Sequence, residues 1–138
     1  MERTLMIFLA VAVVFSVSGC GNKADISNAS AVDVAASVKG ALTFVDDMLE
    51  VKNEIVADFY NLPDGVTEMK VYMSSSGATS EELAIFKCKD TQTAELVKKA
   101  CEKRVEDLNE KFEDYIPGEL VRIDNSIIKE RDGFVMFV

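Results

Sequence analysis

No histidine occurs anywhere in the 138 residues. That absence excludes His-dependent triads, the imidazole general base and most zinc sites. Basic residues are also scarce, 15 Lys and Arg against 24 Asp and Glu, a net charge of −9. Such a surface repels nucleic-acid phosphates and anionic lipid heads, so no nucleic-acid partner is expected. It is either a solvated acidic face, a docking face for a basic partner, or a loose cation site. A long apolar run is missing as well. The longest, Leu5–Val17, has 13 residues, whereas a membrane span needs about 20.

That run has the length of a secretory h-region. Before it Arg3 and the α-amino group stand against Glu2, and after it small residues gather at Ser16, Ser18 and Gly19. The next residue is a thiol. Val17-Ser18-Gly19-Cys20 resembles the bacterial lipobox, which implies cleavage before Cys20 and a diacylglyceryl thioether on it. Two fatty chains of the palmitate kind, at about 0.8 kcal/mol per buried CH₂, suffice for stable anchoring. The competing reading is an uncleaved N-terminal anchor with an incidental cysteine. The expected organisation is a signal peptide over 1–19, a tether over 20–31 and one domain over 32–138. Removing the leader takes away one acid and one base, so the negative charge is kept; the leader also supplies part of the positive mean hydropathy. The first ten small and polar tether residues would span about 17 Å as a flexible coil.

Only two further cysteines exist, Cys88 and Cys101. One falls near the end of an expected strand, the other about ten residues into the next helix. Ten helical residues advance about 15 Å, and bridged Cα atoms lie about 4.4–6.8 Å apart. Two buried free thiols are expected.

Helical spacing of Val34, Val38, Ala41, Leu42, Val45 and Leu49 predicts a helix from Ser30 or Asp33 to Met48, weakened at Gly40. A shorter helix over Glu54–Tyr60 presents Ile55 and Phe59, and Pro63-Asp64-Gly65 ends it in a turn. Alternation then predicts a strand from Val66 to Met73 with Met69, Val71 and Met73 inward. A second strand, Glu82–Lys89, is apolar on both faces and therefore interior. Asp90 or Thr91 caps the strongest helix, Thr91–Asp114, whose buried side carries Ala94, Val97, Cys101, Val105, Leu108 and Phe112. Pro117 closes it or starts one more turn through Leu120 and Val121. Asp132-Gly133 between apolar runs predicts a terminal hairpin whose last strand is paired inside the sheet.

Among these elements one loop has the composition of a ligand cradle. Ser74, Ser75, Ser76, Gly77 and Thr79 can form an anion-binding backbone nest, or simply connect two strands; the lysine of a phosphate loop is missing. Asp46, Asp47 and Glu50 lack the pattern of a calcium loop. Glu113-Asp114-Tyr115 pairs acids with a phenol, which also suits a tyrosine covering the core edge. No serine lies in a nucleophile-elbow context. No catalytic residue, metal ligand or cofactor is assigned.

The stretches Tyr72–Asp90 and Phe112–Leu120, in that order around the amphipathic helix, resemble the family designated domain of unknown function 4358. The likeness covers roughly residue 32 to the end. It implies a bacterial extracytoplasmic lipoprotein with an α+β domain, and no reaction, cofactor or catalytic residue. Members of that family often continue into a further helix, whereas this chain stops at Val138, as a short variant with an exposed sheet face or without a dispensable helix.

The expected fold is α+β, a three- to four-stranded, largely antiparallel sheet covered by the long amphipathic helix and the N-terminal helix. The expected role is a non-enzymatic binding or protein-interaction module, held to the cell membrane through Cys20 on the extracytoplasmic side and facing an envelope protein partner. The alternatives are a small envelope-acting hydrolase or transferase using Ser, Tyr and carboxylates, and a solute-capturing lipoprotein, which usually needs two lobes.

Overall fold

Seven residues, Glu82–Cys88, are apolar on both faces, and the rest of the domain is arranged around them. The computed structural model describes residues 25–138. The expected leader 1–19, the expected acylation site Cys20 and the first part of the expected tether lie outside the described residues. In chain order the elements are α1 (Ala31–Ala41), β1 (Met48–Glu50), α2 (Asn53–Tyr60), β2 (Val66–Ser74), β3 (Glu82–Cys88), α3 (Thr91–Glu113), a 3-10 turn (Pro117–Glu119), α4 (Leu120–Asp124), β4 (Ile128–Arg131) and β5 (Phe134–Phe137). The strands form one sheet in the order β1-β2-β3-β5-β4, and every neighbouring pair is antiparallel. The class is α+β, with five strands where three or four were expected.

Two cores follow from the alternation of β3. Ala84, Phe86 and Cys88 join Val71, Val135 and Phe137 under α2, α3 and α4. Leu83 and Ile85 join Phe134 and Met136 under α1, through Val34, Ala35 and Val38. Burying each large side chain contributes about 1.5–3 kcal/mol, so both faces of this strand hold the fold. Both edge strands are short and carry charge, Glu50 on β1 and Lys129 and Glu130 on β4, which discourages pairing with another sheet.

The N-terminus of α1 is tied to the sheet. Ser30 caps it in a capping box with Asp33. Glu68 of β2 accepts the Ala31 N–H at 2.8 Å, and Lys87 of β3 donates to the Ala29 carbonyl at 2.8 Å. Ile26 and Ala29, in the stretch read as tether, pack against the α1 core. Asp90 caps α3 by accepting the Thr93 N–H at 2.7 Å. In the final hairpin Asp132 and Gly133 both have positive φ, 51° and 84°, the backbone that a two-residue turn of the right twist demands.

Two expectations need correction. The first helix ends at Ala41, not Met48, and residues 48–50 are strand β1. From Leu42 to Met48 half-buried and exposed residues alternate, with Leu42, Phe44, Asp46 and Met48 inward and Val45 exposed. A period of two and a period near four coexist there, and tertiary contacts chose the extended form. In α2 the buried residues are Val56 and Tyr60, whereas Ile55 and Phe59 are exposed.

Candidate functional site

The serine loop between β2 and β3 holds an anion, and the anion belongs to the chain. Asp46, on the extended segment after α1, turns its carboxylate into the loop. Ser74 and Ser76 each donate a hydroxyl to Oδ2 at 2.5 Å, the Ser76 N–H adds a bond of 3.0 Å, and Ser75 reaches Oδ1 at 3.3 Å. The Ser74 and Ser76 hydroxyls, then the Ser76 N–H, hold this carboxyl well below the usual carboxylate range. Gly77 turns the loop at φ 69° and donates its N–H to Ser74 Oγ at 3.2 Å. Thr79 turns away and donates to Glu81 Oε2 at 3.0 Å.

Beside that loop the ends of β3 and β5 floor a groove of about 580 Å³. Leu42 and Phe44 line it from the α1 side of the sheet, Leu108, Val121 and Ile123 from the side of α3 and α4, and Ile127, Phe137 and Val138 lie between. Its polar lining includes Ser80, Glu81, Glu119 and Arg122. Glu81 accepts the backbone N–H groups of Val45 at 2.7 Å and Asp46 at 2.9 Å, and meets Arg122 Nη1 at 3.2 Å. Glu119 accepts the Ser80 N–H at 2.8 Å, its hydroxyl at 2.9 Å and Arg122 Nε at 3.0 Å. Burial pushes Glu119 up, but the Ser80 donors and Arg122 outweigh it and hold the carboxyl below its ordinary value. The groove is therefore apolar walls joined by a satisfied carboxylate–guanidinium bridge.

Glu82, also on the groove lining, points to a second cluster. Arg104 of α3 donates to it from Nη2 at 2.8 Å and from Nε at 3.2 Å, and the Tyr60 hydroxyl donates to Oε1. Both charged side chains are more than nine-tenths buried, and the guanidinium carbon lies 4.7 Å from the Phe59 ring centroid. Burial, then the Glu82 charge, raise the Tyr60 phenol well above its ordinary value. Burial works to lower Arg104; Glu82 overcomes it and raises the group.

Chemically these groups are donors and acceptors already committed to one another. A general base works best with a pKa near the operating pH, and Asp46 and Glu119 are both moved the other way. Burial pushes the Cys88 thiol up to about 11 and the Cys101 thiol up to about 12, far from a nucleophilic thiolate. Both cysteines are free and buried, as expected. Tyr115 is exposed and tilts against Phe112 at 6.2 Å between ring centroids, outside the groove lining. The Asp46 carboxylate takes the serine donors and the Asp47 N–H, at 2.8 Å, and forms no acidic cluster with the Asp47 and Glu50 side chains. Among the described residues no group of three or more Cys, Asp or Glu side chains is placed to hold a metal ion.

Sequence reasoning named the serine loop but missed Asp46 as its occupant, and missed Glu81, Glu82, Glu119, Arg104 and Arg122. Two signals were present. Glu82 continues the inward row of Ala84, Phe86 and Cys88, and Arg104 falls on the helical stripe that carries Val97, Cys101 and Leu108. An acid in an apolar row and a base in an apolar stripe are candidates to meet.

No curated protein and no solved structure matches the chain. A family model described as a domain of unknown function matches residues 41–138, from the end of α1 through the serine loop, both walls of the groove and the terminal hairpin. The match covers most of the chain and all the residues that build the groove: the chain belongs to the DUF4358 family.

Proposed function

We propose that this protein is an extracytoplasmic lipoprotein, anchored to the cell membrane through Cys20, whose groove binds an apolar, basic-flanked segment of an envelope protein. The sequence Val17-Ser18-Gly19-Cys20 and the short apolar run before it support the anchor. Among the described residues no helix is long and apolar enough to cross a membrane, which leaves attachment to the N-terminal segment in this reading.

The observation that carries the binding role is the apolar groove itself: Leu42, Phe44, Leu108, Ile123 and Phe137 wall it, and Val121 in its lining is 69% exposed on α4. An apolar cleft with an exposed apolar rim marks an interaction surface; a small enclosed solute would leave that rim wet, whereas a peptide segment covers it. Asp47 and Asp124 are exposed on the same side of the domain and favour a partner with basic flanks. The saturated carboxylates and raised thiols favour binding over hydrolysis or group transfer, and a single lobe favours a peptide over a captured solute.

The test is photocrosslinking in growing cells with a photoreactive residue at Val121. A discrete adduct is expected that vanishes when Phe44, on the opposite wall of the groove, is replaced by Ser. Absence of any adduct at Val121, or the same adduct from a photoreactive residue at Asp64 on the remote Pro63-Asp64-Gly65 turn, would reject the groove as the binding surface.

A further inference from the structure

The domain has two poles, and the chain enters at one while the groove opens at the other. At the entry pole Val66 pairs with Cys88, Lys87 with Phe134, and Arg131 with Phe134. Lys89 donates its N–H to the Gly65 carbonyl there, and Cys88 to that of Gly133. Ala29 and Ala31 are bound to Lys87 and Glu68 at this same end, and Asp25 lies within the field of Arg131. At the other pole Met73 pairs with Glu82, Ala84 with Phe137, and Ile127 exchanges backbone bonds with Val138. Glu82, Phe137, Ile127 and Val138 are groove residues.

The separation follows from the strand rise. From Lys87 to Glu81 is six residues of β3 and its approach, about 20 Å at ~3.3 Å each. The helix agrees: α1 starts at Ala31 on the entry pole and delivers Leu42 to the groove.

We infer that the groove is the membrane-distal pole of the anchored domain, so that its occupant comes from the envelope and not from the bilayer. This rests on acylation at Cys20. Between Cys20 and Asp25 lie so few residues that, even fully extended at ~3.6 Å each, they hold Asp25 within about 18 Å of the acylated residue. Both poles carry exposed acids, Asp47, Glu113, Asp114 and Asp124 at the groove and Asp25, Asp64, Asp90 and Asp132 at the entry, so the short tether and not charge sets which end faces the bilayer.

The experiment uses the full chain, extracted with its lipid from producing bacteria and reconstituted into phosphatidylglycerol–phosphatidylcholine vesicles containing nitroxide-labelled lipid. One preparation carries a fluorophore through Asp64→Cys at the entry pole, the other through Val121→Cys at the groove; Cys88 and Cys101 are buried and stay unlabelled in the folded protein. Quenching several-fold stronger at position 64 than at 121 is expected. Vesicles that float with the protein while position 121 is quenched as strongly as position 64 overturn the polarity and leave the anchor standing. Failure of the unsubstituted protein to float, or flotation unchanged by Cys20→Ser, removes the anchor and the polarity with it.

Discussion

Glu82 of β3 and Arg104 of α3 face each other at 2.8 Å across the sheet–helix interface, and neither is open to water. Such a pair contributes little net stability, because desolvating two charges offsets most of their attraction, yet losing one partner strands the other. Arg104→Leu is expected to lower unfolding free energy by roughly 3–5 kcal/mol. The combined variant Tyr60→Phe/Glu82→Leu/Arg104→Leu, which also removes the hydroxyl that would otherwise lose its acceptor, should recover most of that loss. Urea denaturation of the single and combined variants decides the point: a combined variant as unstable as the single one would mean that the ion pair itself holds α3 on the sheet.

Asp46 carries a second prediction, about acid. The Ser74 and Ser76 hydroxyls and the Ser76 N–H hold its carboxyl below the ordinary value of 3.8 in the folded chain. A depressed folded pKa means that the unfolded chain takes up the proton first as pH falls. The contribution of Asp46 is therefore complete above the unfolded value and is lost as pH drops through the range below it. Denaturation midpoints should differ between wild type and Asp46→Asn by a constant amount from pH 5 upward, and the difference should shrink below about pH 4. A difference that stays constant down to pH 2.5 would show that the serines do not stabilise the ionised form.

The elements read correctly from sequence are those whose signal is local. β3 shows both apolar faces within seven residues, α3 keeps its stripe for six turns, and Asp132-Gly133 dictates its own turn. Residues 42–48 were misread because Ala41, Leu42, Val45 and Leu49 also fit a helix. What settles the segment is Asp46 bonding to Ser74, 28 residues on, and Glu81 binding the Val45 N–H from 36 residues away. The face of α2 was misjudged by one position, since Val56 and Tyr60 share the spacing of Ile55 and Phe59. Only the sheet, which offers Glu82 to the Tyr60 hydroxyl, tells them apart. The groove was invisible for the same reason: its walls come from the ends of elements far apart in the chain.

The two thiols give a direct check on the packing of α3 against β3. Burial, reinforced by the Glu130 charge at Cys88 and the Glu82 charge at Cys101, lifts them to about 11 and about 12. Neither should react with a disulfide reagent in the folded protein at pH 8, and both should react at once in urea. A thiol titrating in the native state would mean that α3 lifts from the sheet on the timescale of the assay.

Glu81 joins the two sides of the groove through one carboxylate. It takes the Val45 and Asp46 N–H groups from the segment after α1 and the Arg122 guanidinium from α4. Its side chain is 4% exposed, so these bonds face little competition from water. Glu81→Gln keeps the shape but gives up the charge, and one end of the new amide is a donor turned toward donors. The Val45 and Asp46 amides should then exchange with deuterium at least several-fold faster, while the amides of β3 and β5 stay protected. A groove pre-organised by this residue also predicts that the Val121 crosslink weakens in the same variant. Should exchange at Val45 and Asp46 stay unchanged, the wall after α1 is held by Asp46 and its serines, and Glu81 serves α4 alone.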